Sequence, residues 1–567
     1  MPFNSYEFIF GFLPVTVAGF WLLARLSGRT AALGWLIMTS IAFYAYASVR
    51  SLAIITPSIL LDYLIALILL RTDRSRDRLR RLVFVVGVVA NVFFLGYFKY
   101  KNFFLDTANT VFATHFELTQ LILPLGISFL TFQKIAFLAD VKSGQVKAVP
   151  FLDFLLFTLF FPRTVAGPII HYQEVMPQFG DPTPRGIMAN AAVGVCLFSI
   201  GLFKKAVIAD SVAQFVPPAF DTGLSDQLPT LLTAWTGVLA FTFQLYFDFS
   251  GYSDMALGLA RMFGVRLPMN FNSPFKASSI VDFWAHWHIT LTRFLTAYIY
   301  TPIVLSLTRA RMAKGKSVLR GKRSTLPAIA VLVALPTLVT LTIAGLWHGA
   351  GWTFIVYGVL HGIYLTINQS WRILRPRFWP DHASYERVMK PLGFVFVFGA
   401  VVVAFVFFRA PSLICAWSIL GGMVGINGIL PVNVQLLQNL GVSLPWGGLV
   451  LLQPIAPFVW IIVLFVAVTL LPNSLELLRR FQPALDFPEQ LEEASRTQLA
   501  PSVGVQLRGK AKKPSIAAQL RAVRTAIGHL RQQGMSLSRL TATFIALLCV
   551  LGVMALNRGG AFLYWKF

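Results

Sequence analysis

Charge is scarce in this sequence. Only 13% of the 567 residues are charged and 56% are hydrophobic, whereas soluble domains carry about 25% charged residues. Together with a mean hydropathy of +0.69, this composition excludes an ordinary soluble enzyme. Apolar stretches of about 20 residues, the length that crosses a bilayer, recur along the chain. We therefore predict an all-α polytopic membrane protein embedded in the lipid bilayer.

Cysteine is scarce as well. The three cysteines, Cys196, Cys415 and Cys549, are far apart and form no CxxC pair. This excludes a disulfide framework and a zinc cluster. We expect each cysteine to fill space between helices, and we expect no metal site.

Acidic residues are fewer than half as numerous as basic ones, with 23 Asp and Glu against 48 Lys and Arg, for a net charge of +25. In a soluble protein this excess would point to nucleic acid. Here the basic residues collect in loops between apolar spans, as the positive-inside rule describes. We interpret the charge as a topology signal with anionic-lipid contact and expect no nucleic-acid partner. Guidance of an anionic cytoplasmic substrate is the functional alternative.

The candidate spans predict 11 to 14 crossings, some of them broken or re-entrant because they contain Pro, Gly or acidic residues. Six arginines lie between Arg71 and Arg81, and seven Lys or Arg between Arg309 and Arg323. We predict that both segments are cytoplasmic, which places the N-terminus outside. The candidate spans lie near residues 6–26, 30–48, 52–70, 82–98, 118–139, 151–170, 186–209, 231–249, 326–346, 352–368, 392–408, 412–430, 447–471 and 541–557.

The stretch 473–540 is the least membrane-like part of the chain, with eleven Lys or Arg and five Asp or Glu. Its later half mixes bases with aliphatic residues at helical spacing, which is typical of an amphipathic helix on a membrane surface. The sequence therefore predicts a transmembrane core at 1–472, a basic cytoplasmic linker at 473–540 and a last transmembrane helix at 541–567.

Ionisable groups inside apolar spans are costly and are functional candidates by default. The richest stretch, 244–302, contains Asp248, Ser250 and Asp254. The two aspartates are six residues apart and share no helix face, and Gly251 offers a break between them. We therefore expect helix-end capping or buried hydrogen bonding rather than a catalytic carboxylate pair.

The same stretch continues with Asn272, His286 and His288. The two histidines are at positions i and i+2, which point to different sides of a helix. That spacing argues against a shared metal ion.

A second candidate site is the segment Ala344-Gly-Leu-Trp-His-Gly-Ala-Gly-Trp352. His348 is its one ionisable residue, and the flanking glycines allow a ligand or another backbone to approach closely. A hydrogen-bonded packing histidine and a general base that works near neutral pH both remain open for His348. The sequence has no HExxH, GxSxG, P-loop or GxGxxG motif to offer a competing chemistry.

Six motifs resemble, in order, those of the membrane-bound O-acyltransferase family, and they cover roughly residues 1–475. The bacterial branch with the alginate O-acetyltransferase membrane subunit and the teichoic-acid D-alanyl transfer membrane protein is the most similar. The resemblance implies a helical core that encloses a central tunnel. The motifs are Gly96-Tyr-Phe-Lys-Tyr100, Leu123-Pro-Leu-Gly-Ile-Ser-Phe129, Phe161-Pro-Arg-Thr-Val-Ala-Gly-Pro168, Tyr246-Phe-Asp-Phe-Ser-Gly-Tyr-Ser-Asp254, Phe283-Trp-Ala-His-Trp-His-Ile289 and Gly345-Leu-Trp-His-Gly349.

The resemblance also implies roles for two histidines. His348 matches the family's intramembrane histidine and would be the base that removes the acceptor's hydroxyl proton in a dry tunnel. His288 matches the second histidine and would position the acyl donor or polarise its carbonyl. His286 stands where the family pattern carries Arg or Asn. Substrate binding or structural support is expected from Asp248, Ser250, Asp254, Asn272, His286 and Trp347.

The extreme C-terminus, Phe562-Leu-Tyr-Trp-Lys-Phe567, resembles the Phe-x-Tyr-x-x-Phe ending of certain family members and of small partner proteins. The resemblance implies that Tyr564 carries the acyl group in transit. An aromatic anchor at the bilayer surface is the alternative for Tyr564.

The resemblance as a whole implies an acyltransferase of the bacterial inner membrane that uses cytoplasmic acetyl-CoA as donor substrate, without a cofactor, to O-acetylate an extracytoplasmic polysaccharide. The implied partners are a periplasmic SGNH-type acetyltransferase or esterase and a glycan synthase system. One alternative is transfer of D-alanyl or longer acyl groups from a carrier-protein thioester. Another is a non-enzymatic transporter, although the sequence has no self-similar halves. The sequence leaves the acceptor glycan open.

Overall fold

The computed structural model describes residues 1–119, 121–180, 186–221, 228–321, 323–429, 456–485, 528, 534–535, 538–556 and 562–563. These residues form helices joined by loops, and they contain no β-strand. The predicted all-α class is confirmed.

The first half of the chain forms a series of helices of very unequal length. The longest are α2, with 44 residues, and α12, with 32 residues. The helices are α1 (Leu13–Leu26), α2 (Gly28–Arg71), α3 (Asp77–Leu95), α4 (Lys101–Phe112), α5 (Ile127–Ser143), α6 (Phe151–Leu159), α7 (Phe161–Thr164), α8 (Tyr172–Val175), α9 (Ile187–Leu202), α10 (Asp210–Ala213), α11 (Pro217–Phe220) and α12 (Leu231–Met262).

The second half begins with short helices and continues with long apolar ones. Several helices are extended by π-helical segments, at Glu7–Phe12, Gly96–Tyr100, Phe203–Ala209, Thr296–Tyr300 and Ala330–Ala334. The helices are α13 (Ile280–His286), α14 (Ile289–Leu295), α15 (Thr301–Ala313), α16 (Leu326–Ile329), α17 (Leu335–His348), α18 (Trp352–Phe378), α19 (His382–Arg409), α20 (Leu413–Met423), α21 (Ala456–Leu470), α22 (Ser474–Leu477) and α23 (Arg539–Met554).

Six helical segments in the described part of the chain are long and apolar enough to cross a membrane, and three shorter apolar helices, α20, α21 and α23, accompany them. This makes the chain a multi-pass membrane protein, as predicted. The number of 11 to 14 crossings stays a prediction. The six segments are Glu7–Leu26, Gly28–Arg71, Asp77–Phe112, Ile187–Ala213, Leu326–His348 and His382–Arg409.

The predicted span boundaries agree with the observed helices at Ser48 and differ before α5. The spans predicted at 30–48 and 52–70 correspond to the two parts of α2, which are separated by a kink with non-helical dihedral angles at Ser48. The span predicted at 118–139 is helical only from Ile127, because Pro124 and Gly126 lie before it and Gly126 has a left-handed φ of +69°. Pro124 and Gly126 therefore account for the later start of α5.

Helices α9 and α12 run antiparallel and touch at two glycine pairs seven residues apart, Gly194 with Gly258 and Gly201 with Gly251. A Cβ atom on Gly258 would lie 2.5 Å from the carbonyl oxygen of Gly194, and one on Gly251 would lie 2.7 Å from that of Gly201. Small residues at such crossings let helix backbones approach closely in membranes.

This crossing corrects the prediction of a break at Gly251. Helix α12 continues through Gly251 without interruption, because the glycine gives room to a neighbouring backbone rather than a bend. Asp248 and Asp254 therefore lie on different faces of one continuous, largely buried helix.

The linker predicted at 473–540 and the domain bounds around it stay predictions. Its first residues form a short helix that Asn473 and Glu476 cap at its start. The predicted amphipathic helix in its later half lies almost entirely outside the described residues.

Candidate active site

His348 is the last residue of α17, and its side chain is buried. Its imidazole lies among aromatic rings, with centroids 4.9 Å from Trp347, 5.2 Å from Phe408 and 5.9 Å from Tyr357. The helix that carries it is held tightly against α18, since a Cβ atom on Gly345 would lie 2.8 Å from the Cα atom of Gly358. Gly345, three residues before His348, therefore lets α17 pack closely against α18.

His288 lies at a break between α13 and α14, in the left-handed conformation with φ +44°. The prediction that His286 and His288 share one helix was therefore wrong, because α13 ends at His286. The left-handed turn directs the His288 side chain into the core, where the residue has no exposed surface, whereas His286 remains half-buried.

Asn270 sets the tautomer of His288. Its Oδ1 atom accepts hydrogen bonds from the Thr290 hydroxyl at 3.0 Å and the Thr290 backbone N–H at 3.4 Å. An atom that accepts from a backbone N–H is the amide oxygen, so the Nδ1–H of His288, 3.0 Å away, donates to it. The other nitrogen, Nε2, then carries a lone pair.

The Nε2 atom of His288 is buried and has no hydrogen-bond partner among the described residues. A buried polar atom without a partner is costly and indicates a place for a ligand or water. In this tautomer Nε2 accepts a hydrogen bond or a proton. His288 is therefore suited to positioning a substrate through one of the substrate's N–H or O–H groups, rather than to polarising a carbonyl.

Trp347 joins the two histidines. Its indole ring is 4.9 Å from the His348 ring and 6.1 Å from the His288 ring, centroid to centroid. Phe129 packs on Trp347 at 5.1 Å and on His288 at 6.3 Å. The structure thus brings the three sequence-predicted residues of two distant motifs to one place in the core.

A cavity of about 130 Å³ adjoins His348. One wall is the segment that connects α4 to α5, and another is the end of α17. The lining residues are Lys99, Leu123, Pro124, Leu125, Gly126, Ile127, Ser128, Phe129, Val165, Trp347 and His348. Residues from four of the sequence motifs therefore surround one space beside an imidazole.

Asp248 and Asp254 both form buried ion pairs with adjacent lysines. Lys205 Nζ lies 2.8 Å from Asp248 Oδ1, and Lys204 Nζ lies 2.6 Å from Asp254 Oδ2. Lys205 also contacts Asp210 at 2.6 Å. Neither aspartate caps a helix end, and the pairs hold the π-helical segment 203–209 against α12.

The other predicted polar residues have structural partners around the site. The Asn272 backbone N–H donates to the His286 carbonyl at 3.0 Å, and its side-chain oxygen accepts from Asn473. His286 Nδ1 lies 3.3 Å from a carboxylate oxygen of Asp282. The hydroxyl of Ser250 is buried without a hydrogen-bond partner in the described structure.

The C-terminal tail enters the core near Asp248. The backbone N–H of Leu563 donates to Asp248 Oδ2 at 3.0 Å, and the Phe562 ring stacks on Tyr252 at 4.5 Å. Phe249 lies 6.1 Å from the Phe562 ring and 4.8 Å from the His288 ring. Tyr564, the next residue in the sequence, lies outside the described residues.

Sequence reasoning missed three residues of this region: Lys99, Asn270 and His361. His361 is fully buried, accepts a hydrogen bond from the Trp284 indole at 3.3 Å, and lies 4.7 Å from Tyr357, which also contacts His348. For Lys99 and His361 the signal was present, since each is an ionisable residue in an apolar stretch.

No group of three or more His, Cys, Asp or Glu side chains is arranged to hold a metal ion within the described ranges. The arrangement offers instead two buried imidazoles and a cavity. Those elements suit proton transfer from a hydroxyl bound in the cavity.

Comparison with known proteins agrees with the family that the sequence motifs resemble. The family model described as MBOAT, membrane-bound O-acyltransferase family, matches residues 141–319, which include His288. A peptidoglycan O-acetyltransferase from Helicobacter pylori is 40% identical over 454 residues, covering 75% of this chain and 80% of that protein.

Two further relatives carry different names. The probable alginate O-acetylase AlgI of Azotobacter vinelandii is 36% identical over 432 residues, covering 75% of this chain and 78% of its own length. A teichoic acid D-alanyltransferase from Streptococcus thermophilus is 29% identical over 300 residues, covering 50% of this chain and 68% of its own length.

Proposed function

Since this chain belongs to the membrane-bound O-acyltransferase family and is an O-acyltransferase, we propose that it moves acetyl groups from cytoplasmic acetyl-CoA across the bacterial inner membrane to O-acetylate an extracytoplasmic polysaccharide. Two relatives named for O-acetylation, of peptidoglycan and of alginate, align over 75% of this chain at 40% and 36% identity. They favour acetyl over D-alanyl transfer, since the D-alanyltransferase aligns over only 50% at 29% identity.

The observation that carries the mechanism is the pair of buried imidazoles, His288 and His348, on one indole ring beside a cavity. The acceptor hydroxyl oxygen attacks the thioester carbonyl carbon, the new C–O bond forms and the C–S bond breaks. His348 takes the hydroxyl proton, and the thiolate of CoA leaves and regains a proton. His288 Nε2 accepts a hydrogen bond from the acyl donor, acetyl-CoA, and thereby fixes its position.

The position of the cavity supports an acceptor that arrives from outside. The continuous helical segment Asp77–Phe112 begins in the arginine-rich region predicted to be cytoplasmic. Lys99 lies 22 residues along it, or about 33 Å at 1.5 Å per residue, which is about the thickness of the hydrocarbon core. The cavity beside Lys99 then lies toward the outer surface, with the N-terminus outside.

The first acceptor in this proposal is Tyr564. A phenol has a pKa near 10 and needs a base as it attacks. The preceding residues, Phe562 and Leu563, are buried against Tyr252 and Asp248 in the core, which supports a tail that reaches the site. A periplasmic SGNH-type acetyltransferase then moves the group to the glycan, in concert with a glycan synthase system.

The proposal is tested by His348→Ala, with His382→Ala as the matched control because His382 is well exposed. Each variant is expressed in a strain that lacks the native gene, and ester-linked acetate released from envelope glycans by mild alkali is measured. We expect His348→Ala to lose 10²–10⁴-fold of the activity, at normal protein level and melting temperature. Retention of more than about a tenth of the acetate, or equal loss in His382→Ala, would overturn the proposal.

A further inference from the structure

Lys99 connects two distant parts of the chain at the end of the helix that carries His348. It lies in the π-helical segment Gly96–Tyr100, and its ammonium reaches α17. The Nζ atom donates to the carbonyl oxygen of Trp347 at 2.6 Å, to that of His348 at 3.1 Å and to the Ser128 hydroxyl at 3.4 Å. π-helical segments inside α-helices occur often at functional sites.

These contacts satisfy groups that a helix end leaves open. The last four carbonyls of a helix have no partner within it, and α17 ends at His348 inside the protein. A lysine at this end both supplies donors and complements the partial negative charge of the terminal carbonyls. Tyr100, the next residue, donates its hydroxyl hydrogen to the Leu346 carbonyl at 2.8 Å, so two adjacent side chains hold three consecutive carbonyls.

The hydrogen bonds of Lys99 argue against a direct contact of its ammonium with a substrate. An ammonium has three donor hydrogens, and its three oxygen partners are all protein atoms. With its three hydrogens directed at protein oxygens, this ammonium has none left for a substrate.

We propose that Lys99 is a positioning residue, which fixes the backbone of Trp347 and His348 and thereby directs the His348 imidazole toward the cavity. This inference rests on the proposed function, in which His348 is the base. Catalysis is sensitive to such placement, since a displacement of about 1 Å costs about 10²-fold in rate. Folding depends less on Lys99, because α17 is also held by the close crossing of Gly345 and Gly358.

The test compares Lys99→Met, Lys99→Arg and the control Lys101→Met in the full-length protein in detergent. Lys101 also carries an ammonium, but it donates to the Thr119 hydroxyl at 3.1 Å. The pre-steady-state rate of CoA release from acetyl-CoA is measured, because in the proposed function Tyr564 accepts one acetyl group per molecule. The saturating rate (called kcat below) and the half-saturating acetyl-CoA concentration (called KM) are determined separately, and the melting temperature reports folding. Lys99→Met leaves the carbonyls of Trp347 and His348 without this donor, which costs stability, and the melting temperature separates that cost from a loss of rate.

We expect Lys99→Met to lower kcat about 10²-fold while the KM for acetyl-CoA changes less than about twofold, because Lys99 has no hydrogen left for the donor. Lys99→Arg should recover at least about a tenth of the wild-type kcat, since it keeps a cation that can donate to both carbonyls. Lys101→Met should match the wild type. A wild-type kcat in Lys99→Met, or a loss carried by KM alone, would overturn the inference.

Tyr100→Phe keeps the inference testable if Lys99→Met does not yield folded protein. It removes one hydroxyl and one hydrogen bond to Leu346. We expect a loss of about 3–10-fold in kcat at unchanged KM, which corresponds to one neutral hydrogen bond, and an unchanged kcat would count against the positioning role. A wild-type protein that releases no CoA from acetyl-CoA would instead reject the proposed function.

Discussion

The backbone N–H of Leu563 donates a 3.0 Å hydrogen bond to the carboxylate of Asp248, 315 positions earlier in the chain. Lys205 holds the other carboxylate oxygen at 2.8 Å, so the acceptor for the tail is fixed by a buried ion pair. Phe562 completes the contact by stacking on Tyr252 at 4.5 Å. The residue before Tyr564 is thus bound to the core helix next to the ring, Phe249, that touches His288.

This contact predicts that Phe562→Ala weakens acyl transfer without unfolding the protein. The variant removes the ring that stacks on Tyr252 but leaves α12 and its ion pairs unchanged. We expect at least a tenfold loss of glycan acetylation, since burying an aromatic side chain contributes about 1.5–3 kcal/mol. Phe544→Ala is the control, because Phe544 is 46% exposed on α23. Equal activity of the two variants would show that the tail contact has no role in transfer.

The two histidines of the Trp-His motif should behave differently. His288→Ala removes a fully buried imidazole with a lone pair free for a ligand, and we expect a loss of 10²–10⁴-fold in activity. His286→Ala removes a half-exposed residue and should keep most of the activity. Comparable activities of the two variants would contradict the assignment of His288 to the site.

His286 should instead affect stability in a pH-dependent way. The hydrogen bond from its imidazole to Asp282 raises the pKa of His286 above 6.5. A raised pKa stabilises the fold at pH values below the ordinary one, and that contribution is lost as the pH rises through the raised value. The melting-temperature difference between wild type and His286→Ala should therefore be largest under acidic conditions and vanish under alkaline ones. Solvent exposure keeps it small, and a difference that grows with pH would refute the pairing.

The orientation predicted from the basic loops can be measured by cysteine labelling. In a variant without the three native cysteines, Ser502→Cys in the predicted cytoplasmic linker should react with a membrane-impermeant reagent only after lysis of spheroplasts. Glu117→Cys, in the exposed loop before α5, should react in intact spheroplasts. The reverse pattern would invert the topology. It would place the C-terminal tail and the cavity toward the cytoplasm, where they could not pass an acyl group to an extracytoplasmic glycan.

The glycine pairs of α9 and α12 predict a stability difference between two otherwise similar substitutions. The new Cβ atom of Gly258→Ala would lie 2.5 Å from the Gly194 carbonyl oxygen and 2.7 Å from the Phe198 nitrogen, both backbone atoms that cannot turn away. Gly399→Ala, in α19, would meet nothing within 4 Å. We expect Gly258→Ala to destabilise by about 1–3 kcal/mol and Gly399→Ala to be neutral or slightly stabilising, as measured by thermal unfolding in detergent. Equal effects would disprove the close crossing.

The sequence predicted the fold class and brought His288 and His348 forward as candidates, because ionisable residues in apolar stretches have few structural explanations. Trp347 became a candidate through the family motif Gly345–Gly349. It predicted a break at Gly251 and one shared helix for His286 and His288, and both were wrong. In each case the deciding contact lies outside the local segment: Gly201, 50 residues before Gly251, packs on that glycine, and Asn270, 18 residues before His288, hydrogen-bonds its imidazole. Local patterns do not contain such contacts, which is also why the link from Lys99 to His348 could not be predicted.

The central claim, an acyl group passed from acetyl-CoA to Tyr564 with His348 as base, has one direct measurement. Purified protein is incubated with isotopically labelled acetyl-CoA, quenched with acid and digested, and the C-terminal peptide is analysed by mass spectrometry. We predict labelled acetyl on Tyr564 in the wild type, none in His348→Ala, and no glycan acetylation by Tyr564→Phe, which loses the hydroxyl but keeps the aromatic ring. An unlabelled Tyr564 in active protein, or normal glycan acetylation by Tyr564→Phe, would contradict the relay and leave Tyr564 as an anchor at the bilayer surface.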